Sequence, residues 1–385
     1  MPEQQTPEML RLSLQDLVMR VKICNLGGIE DTLSQALDPP SSKNVRRAID
    51  ALIEVGALTE KEQLTSLGSQ LAKLPLDAQL GKLILYGALF GCLDFALTAA
   101  ATLTSKSPFL SPLHAKAQAD SIRLGFKRGD SDLLTIFNAY KAWRTACTTP
   151  GLSERNFCNK NFLSPQNLAN IEDLKRQLFS ALVEAGFVSL DIKMRAALNT
   201  RKSASHSHHQ RDFLQIPPAN LRAESNDVLI NAVTAWSFYP RLLRRDGKGW
   251  RNIANNQSLA LHPTSVNKHG LPTETKFLSF YNILSTSTRS TNAQETSAVS
   301  DFALVLLAGD ARWDLYAGVV VLDGHRLKFA FRDWRSMVAV KFLRAKMREI
   351  LSRGLKFPGK EVGVRLARWA EVFEALFEGR VGARS

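Results

Sequence analysis

The longest block of helix-compatible sequence runs from Leu64 to Pro112. Its leucines and isoleucines recur mainly at spacings of three and four residues, which is the period of an amphipathic helix. Pro75 and Gly91 interrupt the block, so the pattern predicts three helices of roughly ten to fourteen residues. Because such helices bury their apolar faces against one another, we expect this block to be the packing centre of the N-terminal half.

A winged helix is predicted before this block. Apolar residues at helical spacing predict three short helices, at Leu14–Cys24, Ile29–Leu37 and residues 42–55. Residues 57–65 are predicted to form a small hairpin, which completes the order of elements in a winged helix. Basic residues at the start of the third helix would either read nucleic acid or form a solvated face; they are Lys43, Arg46 and Arg47.

Two further helices with capping residues follow the block. Ser131 or Asp132 would cap the first, and Ser164-Pro165 would begin the second, which ends near Gly186. The stretch from Ser111 to Asp132 is basic and less periodic, and we interpret it as a connector. Residues 150–163 are interpreted as a loop.

The period changes from helical to strand-like after Asn226. A helix is predicted over Val228–Trp236, and residues 285–300 are polar and predicted to be a long flexible loop. Short β-branched or aromatic runs separated by turn residues predict strands, at Phe277–Leu284, Ala303–Leu307, Leu315–Leu322 and Arg326–Phe331. Several short strands within roughly a hundred residues are typical of a small barrel, with the OB type as one candidate.

Two helices are predicted at the C-terminal end. Trp334–Leu355 has the pattern of a basic amphipathic helix, and a final helix is predicted around Val362–Phe377. The outer face of the first is predicted to carry Lys341, Arg344, Lys346 and Arg348. The fold class is therefore α+β and multidomain, with a mainly helical N-terminal half, a small OB-like β-barrel and C-terminal helices.

Charge narrows the choice of partner. Lys plus Arg number 50 against 36 Asp plus Glu, which gives a formal net charge of +14 and a pI of about 9.8. A surplus of this size is typical of proteins with a polyanionic partner, most often nucleic acid. An acidic membrane surface is the second candidate, but no basic amphipathic helix stands alone to support it, so no membrane partner is expected.

Cysteine usage and hydropathy predict the compartment. Four cysteines are scattered without CxxC spacing, which is typical of a reducing environment. No apolar run reaches the roughly 18 residues that span a bilayer, and the sequence MPEQQTPEML lacks the apolar core of a signal peptide. We expect a cytoplasmic or nuclear protein that is not secreted.

No catalytic motif is found in the sequence. Gly81-Lys82 and Gly247-Lys248 lack the first glycine and the following hydroxyl residue of a phosphate loop, and no acidic box for Mg²⁺ is present. His206, His208 and His209 could bind a metal, but no Cys or carboxylate stands at ligand spacing, so a solvated loop is favoured. We expect no catalytic residue, metal site or cofactor site in this chain.

Basic residues interleaved with aromatic residues form a candidate nucleic-acid site after Tyr239-Pro240. Cations bind the phosphates and aromatic rings stack on the bases. Together these contacts hold single strands without recognising a particular sequence. A solvated charged loop beside core aromatics is an equal alternative. The candidate residues of this stretch are Arg241, Arg244 and Arg245.

The order of these pieces resembles a known family. The run LTSLGSQLAKLPLDAQLGKLILYGALFGCLDFALTAAATLTSKSPF resembles the helicase-associated (ratchet) region of DEAH/RHA-type RNA helicases, which follows a winged helix. Similar motifs recur in the same order downstream: Gly129–Asp132, Asn138–Trp143, Cys158 with Asn161–Leu163, Tyr239-Pro240, Leu261–Val266 and Phe280-Tyr281. The C-terminal part resembles the branch of large multidomain eukaryotic helicases.

The resemblance implies an RNA-binding accessory module. Single-stranded or structured RNA would pass through a channel between ratchet and barrel, moved by a RecA pair that would lie before Met1. ATP and Mg²⁺ would bind only to that missing RecA core, so no ATPase activity is expected from this chain alone. The expected regions are the tail of a RecA-like domain (1–13), winged helix (14–66), ratchet domain (67–190), polar, partly disordered linker (191–225), OB-like barrel (226–333) and basic helical extension (334–385).

The resemblance also implies specific RNA contacts, each with a structural alternative. Asn161 could instead cap a helix, Tyr281 could belong to the core, and Arg176 could pair with a neighbouring carboxylate. The residues carried over are Ser105, Lys106, Asn161, Arg176, His262, Ser265 and Tyr281. The rival hypothesis is a protein-interaction scaffold that docks on acidic partners, on ribosome-associated proteins or on a RecA helicase core supplied in trans.

Overall fold

A computed structural model describes residues 14–199, 212–268, 270–285, 291–324, 326–360 and 364–378. Several predictions therefore lie wholly or partly outside the described residues. They include the RecA tail at 1–13, the histidines at positions 206, 208 and 209, and parts of the linker at 191–225, the polar loop at 285–300 and the extension at 334–385. The described part confirms the predicted class, because helices dominate the first half and strands with C-terminal helices make up the second.

The first helices form as the apolar pattern predicts. They are α1 (Leu14–Ile23), α2 (Ile29–Ser34) and α3 (Ser42–Val55). Gly56 ends α3 with a left-handed φ of 87°, which a residue without a side chain adopts readily. The predicted hairpin is reduced to a single bridge between Leu58 and Leu64.

The predicted packing centre is confirmed as three helices, namely α4 (Ser66–Leu71), α5 (Ala78–Phe90) and α6 (Leu93–Thr104). The first is shorter than expected. The Asp77 carboxylate caps α5 by accepting hydrogen bonds from the backbone N–H groups of Gln79 and Leu80. All residues from Leu80 to Gly87 and from Phe95 to Thr102 are buried. Because α5 and α6 are buried on every side, they form the centre of the molecule.

The rest of the ratchet region contains two helices that the sequence did not predict. They are α7 (Lys116–Gly125) and α9 (Glu154–Lys160), and each buries a single residue, Ala119 in α7 and Cys158 in α9. Helices with so small an apolar face leave little periodicity to detect. The predicted capped helices α8 (Asp132–Thr148) and α10 (Pro165–Glu184) are present, and α11 (Ile192–Asn199) follows.

The second half begins with the predicted helix α12 (Asp227–Phe238), which packs against α5. A seven-stranded sheet follows in the spatial order β5-β6-β3-β2-β1-β4-β7, in which β3 and β6 pair in parallel and the other described pairs are antiparallel. Its strands are β1 (Leu242–Asp246), β2 (Gly249–Asn252), β3 (Ser258–Leu261), β4 (Phe277–Ser279), β5 (Asn282–Ser285), β6 (Thr291–Gln294) and β7 (Ser297–Val299).

Two predictions in this region are wrong. Ala303–Leu307 belongs to helix α13 (Asp301–Leu307), which the Ser300 side chain caps, because an apolar run this short fits either structure. The expected loop at 285–300 contains β6 and β7, whose polar side chains conceal a strand period. The remaining strands form a separate antiparallel sheet of β8 (Ala311–Asp314), β9 (Val319–Leu322) and β10 (Leu327–Ala330).

Two helices, α14 (Trp334–Lys356) and α15 (Val364–Phe377), complete the described chain. The prediction that Arg344 faces outward is wrong, because its side chain is 4% exposed. Its guanidinium donates to the carbonyl oxygens of Val305 at 2.7 Å and Ala308 at 2.9 Å. These carbonyls end α13 and have no partner within that helix, so a buried cation there is favourable.

One carboxylate joins the ratchet helices to the seven-stranded sheet. Asp132, in the first turn of α8, is 1% exposed. Its Oδ1 accepts from the N–H of Val266 at 2.7 Å. Its Oδ2 accepts from the Ser265 hydroxyl at 2.7 Å, and from the N–H and hydroxyl of Thr296 at 2.8 and 3.0 Å. Three separate segments therefore meet at this side chain.

We expect Asp132→Asn to lower the free energy of unfolding by about 2–4 kcal/mol, because the amide NH₂ would face a buried N–H donor in either orientation. Chemical denaturation measures the change. Asp173→Asn, at an exposed position on α10, is the matched control and should stay within about 0.5 kcal/mol of the parent. Equal stability of the two variants would contradict the role given to Asp132.

Candidate nucleic-acid interface

The segment after α6 is exposed and firmly held. Ser105 ends α6 and its hydroxyl donates to the Ala101 carbonyl at 2.7 Å, while the Lys106 side chain is exposed. Backbone hydrogen bonds of 2.8 Å from Leu110 N–H to the Phe162 carbonyl and from Ser164 N–H to the Pro108 carbonyl fix the segment to the start of α10. The two residues predicted by resemblance therefore lie on a rigid, accessible edge.

Helix α7 adds cations to this edge. The Arg123 guanidinium lies 4.7 Å from the centre of the Phe109 ring, which ties α7 to the segment after α6. Lys116, at the start of α7, is exposed. The sequence did not single out Lys116 or Arg123, because α7 was interpreted as a connector. The signal that could have found them is the basic composition of that stretch.

The loop after β3 completes the edge from the side of the sheet. Burial, and then the nearby Arg123 guanidinium, lower the pKa of His262. The Asp132 carboxylate opposes this shift, and the cations of Lys116 and Lys268 add to it. These charges lie close enough to perturb one imidazole, so α7 and the sheet loop are neighbours. We call this surface the basic rim: Lys106, Lys116, Arg123, His262 and Lys268.

Ser265 lies just behind the rim. Its side chain is buried, and its hydroxyl donates to the Asp132 carboxylate at 2.7 Å and lies 3.0 Å from the Thr296 hydroxyl. The predicted residue is thus placed at the junction, where it positions the loop that carries His262. It is not on the exposed surface.

Asn161 and Arg176 are both engaged by the protein backbone. The Asn161 amide donates to the Phe157 carbonyl at 2.8 Å, at the C-terminal end of α9. The Arg176 guanidinium donates to the Asp212 carbonyl at 2.7 Å and lies 3.9 Å from the Glu172 carboxylate. These contacts agree with the structural alternatives that the sequence left open for both residues.

Tyr281 and Arg241 lie at a second contact between the sheet and the helices, besides the one at Asp132. The Tyr281 hydroxyl donates to Asp77 Oδ2 at 3.0 Å, at the N-terminus of α5. The Arg241 guanidinium donates to the Tyr281 carbonyl at 2.5 Å and lies 5.5 Å from the tyrosine ring centre. Burial lowers the pKa of Arg241 and, together with the Asp77 carboxylate, raises the pKa of Tyr281. Tyr281 therefore joins the sheet to the helices, and Arg241 holds Tyr281 in place.

Arg244 and Arg245 lie on the β1–β2 hairpin. The Arg244 side chain is exposed. The Arg245 guanidinium lies 5.2 Å from the Trp250 ring centre and donates to the Thr273 carbonyl at 2.9 Å. The hairpin therefore has the predicted mixture of cation and aromatic ring, but Trp250 is buried and its ring is not available for stacking with a base.

Glu295 is an unpredicted residue of this region. It joins β6 to β7 with a left-handed φ of 52°, and its Oε2 is buried with no hydrogen-bond partner among the described residues. Burial and repulsion from the Asp132 carboxylate raise the pKa of the Glu295 carboxyl to about 7, against the opposing effect of Arg123. Near neutral pH this side chain therefore changes charge beside the basic rim.

Within the described residues, no cluster of three or more His, Cys, Asp or Glu side chains is placed to bind a metal ion. The helices of the described part include none that is long and apolar enough to cross a membrane.

Three family models match the chain. The winged-helix part of the helicase associated domain (HA2) matches residues 48–76, and its ratchet-like part matches residues 77–139. The oligonucleotide/oligosaccharide-binding (OB) fold matches residues 230–311. These matches agree with the winged helix, the helical centre and the seven-stranded sheet described above.

Two of three similar proteins match most of the chain. The DExH-box ATP-dependent RNA helicase DExH1 of Arabidopsis thaliana is 30% identical over 94% of this chain and 34% of its own length. The ATP-dependent DNA/RNA helicase DHX36 of Bos taurus is 35% identical over 80% of the chain and 29% of its own length. The human ATP-dependent RNA helicase DHX29 is 43% identical over 48% of the chain and 14% of its own length. The chain thus spans about a third or less of these relatives.

We expect Glu295→Gln to stabilise the protein above pH 7. The folded-state pKa lies above the unfolded value, so stability is lost as pH rises from about 4.3 to the folded pKa near 7. The variant should gain on the order of 1 kcal/mol in free energy of unfolding at pH 8 and nothing near pH 4. Urea denaturation at several pH values measures this difference.

Glu274→Gln, at an exposed position, is the control and should show no such pH-dependent gap. A constant difference between Glu295→Gln and the parent from pH 4 to 8 would show that ionisation of Glu295 is not its cause.

Proposed function

Since the chain carries the helicase-associated winged-helix and ratchet-like domains and the OB-fold of DExH/DEAH-type RNA helicases, we propose that it is the module of such a helicase that grips single-stranded RNA. In this proposal the strand lies along the basic rim, between the end of α6 and the loop after β3. The observation that carries the proposal is the convergence of cations from both domains on one exposed edge.

The electrostatics of the rim support this proposal. No carboxylate within ion-pair distance is found, among the described residues, for Lys106, Lys116, Arg123 or Lys268. Unpaired cations on one edge suit the phosphates of a nucleic acid, which release counterions when bound. His262, with its lowered pKa, can offer a neutral imidazole for hydrogen bonding to a base or sugar.

The rim residues would hold the strand without moving it. The Asp132 junction fixes α8 against the loop that carries His262, so the ratchet and sheet sides of the rim keep one separation. Movement of RNA would require a RecA-like core, which we propose as the partner of this module. ATP and Mg²⁺ would bind to that core, and no step of ATP hydrolysis is assigned to the residues described.

We expect binding of a fluorescein-labelled oligo(U) to weaken steeply as salt rises from about 50 to 200 mM. The double variant Lys106→Gln/Lys268→Gln removes one cation from each side of the rim. It should bind about tenfold more weakly, with the slope of log K against log salt reduced by about 1.4, because each lost phosphate contact removes about 0.7 for a single strand. Fluorescence anisotropy measures both quantities.

Lys61→Gln/Lys141→Gln removes the same charge from exposed positions on the winged helix and on α8, and should leave the slope almost unchanged. Equal losses in the two double variants would mean that only net charge attracts the RNA. If the parent chain binds no RNA but captures a purified RecA-like core or an acidic protein, the scaffold hypothesis replaces this proposal.

A further inference from the structure

We propose that the outer face of α14 is a second contact for single-stranded RNA, separate from the basic rim. We define this face by Trp334, Arg335, Val338, Lys341 and Phe342. The inference rests on the proposed function in one respect, namely that RNA is the ligand of this chain. It uses different residues and a different domain surface, so the two proposals can fail separately.

The first observation is a stripe of exposed apolar side chains. Trp334, Val338 and Phe342 are 63%, 43% and 50% exposed. They are four residues apart, so they follow one another along a single side of the helix at intervals of about 6 Å. The opposite side of α14 is already packed against the protein through Met337, Met347, Leu351 and Leu355. Phe342 also packs edge-to-face on the Trp369 ring of α15, with the ring centres 5.4 Å apart, so this residue of the stripe contributes to packing as well as to the exposed surface.

A neighbouring turn extends the aromatic surface. The N–H of Phe331 donates to the Gly318 carbonyl at 2.8 Å, which places the β8–β9 turn beside the start of α14. In that turn Tyr316 is fully exposed and Leu315 is 52% exposed. Two large exposed aromatic rings, Tyr316 and Trp334, thus come from adjacent elements. Exposed apolar and aromatic side chains on neighbouring elements are typical of an interaction site.

The second observation is an excess of positive charge on the same helix. α14 carries seven Lys and Arg residues and one acidic residue, Glu349, whose carboxylate pairs with Lys346 at 2.8 Å. Arg344 is buried and Arg348 bonds to Asp310 at 3.2 Å. Among the described residues no ion pair is found for Arg335 or Lys341, which flank the aromatic stripe on its two sides. The Arg335 guanidinium lies 5.6 Å from the Trp334 ring centre.

This combination suits a single strand better than an acidic protein. Exposed rings stack on bases of any sequence, and cations beside them close on the phosphates. Each stacked base contributes about 1–3 kcal/mol. The helix is about 35 Å long and is fixed along its inner side, so the rings and cations are presented as a rigid row. Anionic membranes also bind basic helices with an apolar stripe, so the experiment below distinguishes binding to RNA from binding to a membrane.

The test uses the full chain and the variant Trp334→Ala/Lys341→Gln, which removes one exposed ring and one exposed cation. With a 30-nucleotide oligo(U), we expect binding about tenfold weaker than that of the parent, because one stacking contact and one phosphate contact are lost. Oligo(U) should also quench part of the tryptophan emission of the parent but not of the variant. Trp334 is the most exposed tryptophan in the described part of the chain.

Leu37→Ala/Lys61→Gln is the matched control, because it also removes one exposed apolar side chain and one exposed cation, here from the winged helix. It should bind like the parent. Both variants change exposed residues, and thermal unfolding should confirm that each remains folded.

The outcomes separate this inference from the proposed function. Unchanged affinity and unchanged quenching in Trp334→Ala/Lys341→Gln, with binding lost in Lys106→Gln/Lys268→Gln, would overturn only the α14 contact. Absence of RNA binding by the parent would overturn both. Binding of the parent to vesicles with phosphatidylserine, lost in the α14 variant while RNA affinity is unchanged, would assign the face to a membrane surface instead.

Discussion

The arrangement of the two halves of the molecule depends on one buried carboxylate. Asp132 accepts four hydrogen bonds from the segments around Ser265 and Thr296, and it stands in the first turn of α8, where the helix dipole favours negative charge. Burying an ion is costly unless every lone pair is used. Here donors from the sheet region offset that cost, so the Asp132 carboxylate has all of these hydrogen bonds only when the sheet packs against α8.

A second contact between the two halves lies at the start of α5, at the other end of the packing centre. Asp77 divides its two oxygens between domains, because Oδ1 caps α5 and Oδ2 accepts from the Tyr281 hydroxyl. Ser265 and Tyr281, which the family resemblance suggested as RNA contacts, are therefore used to join domains. A motif that resembles a family pattern can contain residues that join domains as well as residues on the binding surface. The sequence alone does not distinguish these two roles.

The sequence was sufficient where local signals were strong. α3, α5, α8 and α10 have apolar periodicity together with a capping residue or a terminal glycine, and all four were predicted. α7 and α9 were missed because each buries one residue, and β6 and β7 because their polar side chains conceal a strand period. Arg344 was misplaced because its partners, the carbonyls at the end of α13, are distant in sequence.

The same contacts determine what the module can do mechanically. α5 and α6 are buried on all sides, and their polar ends lead to both interfaces, Asp77 to the sheet and Ser105 to the basic rim. If the two sides of the rim slid past each other, the hydrogen bonds of Asp132 would break and leave an ion buried without partners, which is strongly unfavourable. The rim and the sheet therefore move as one body. A strand held there can advance only if this body moves relative to a separate domain that grips the same strand, which is why the proposed function requires a second RNA-binding body as its partner.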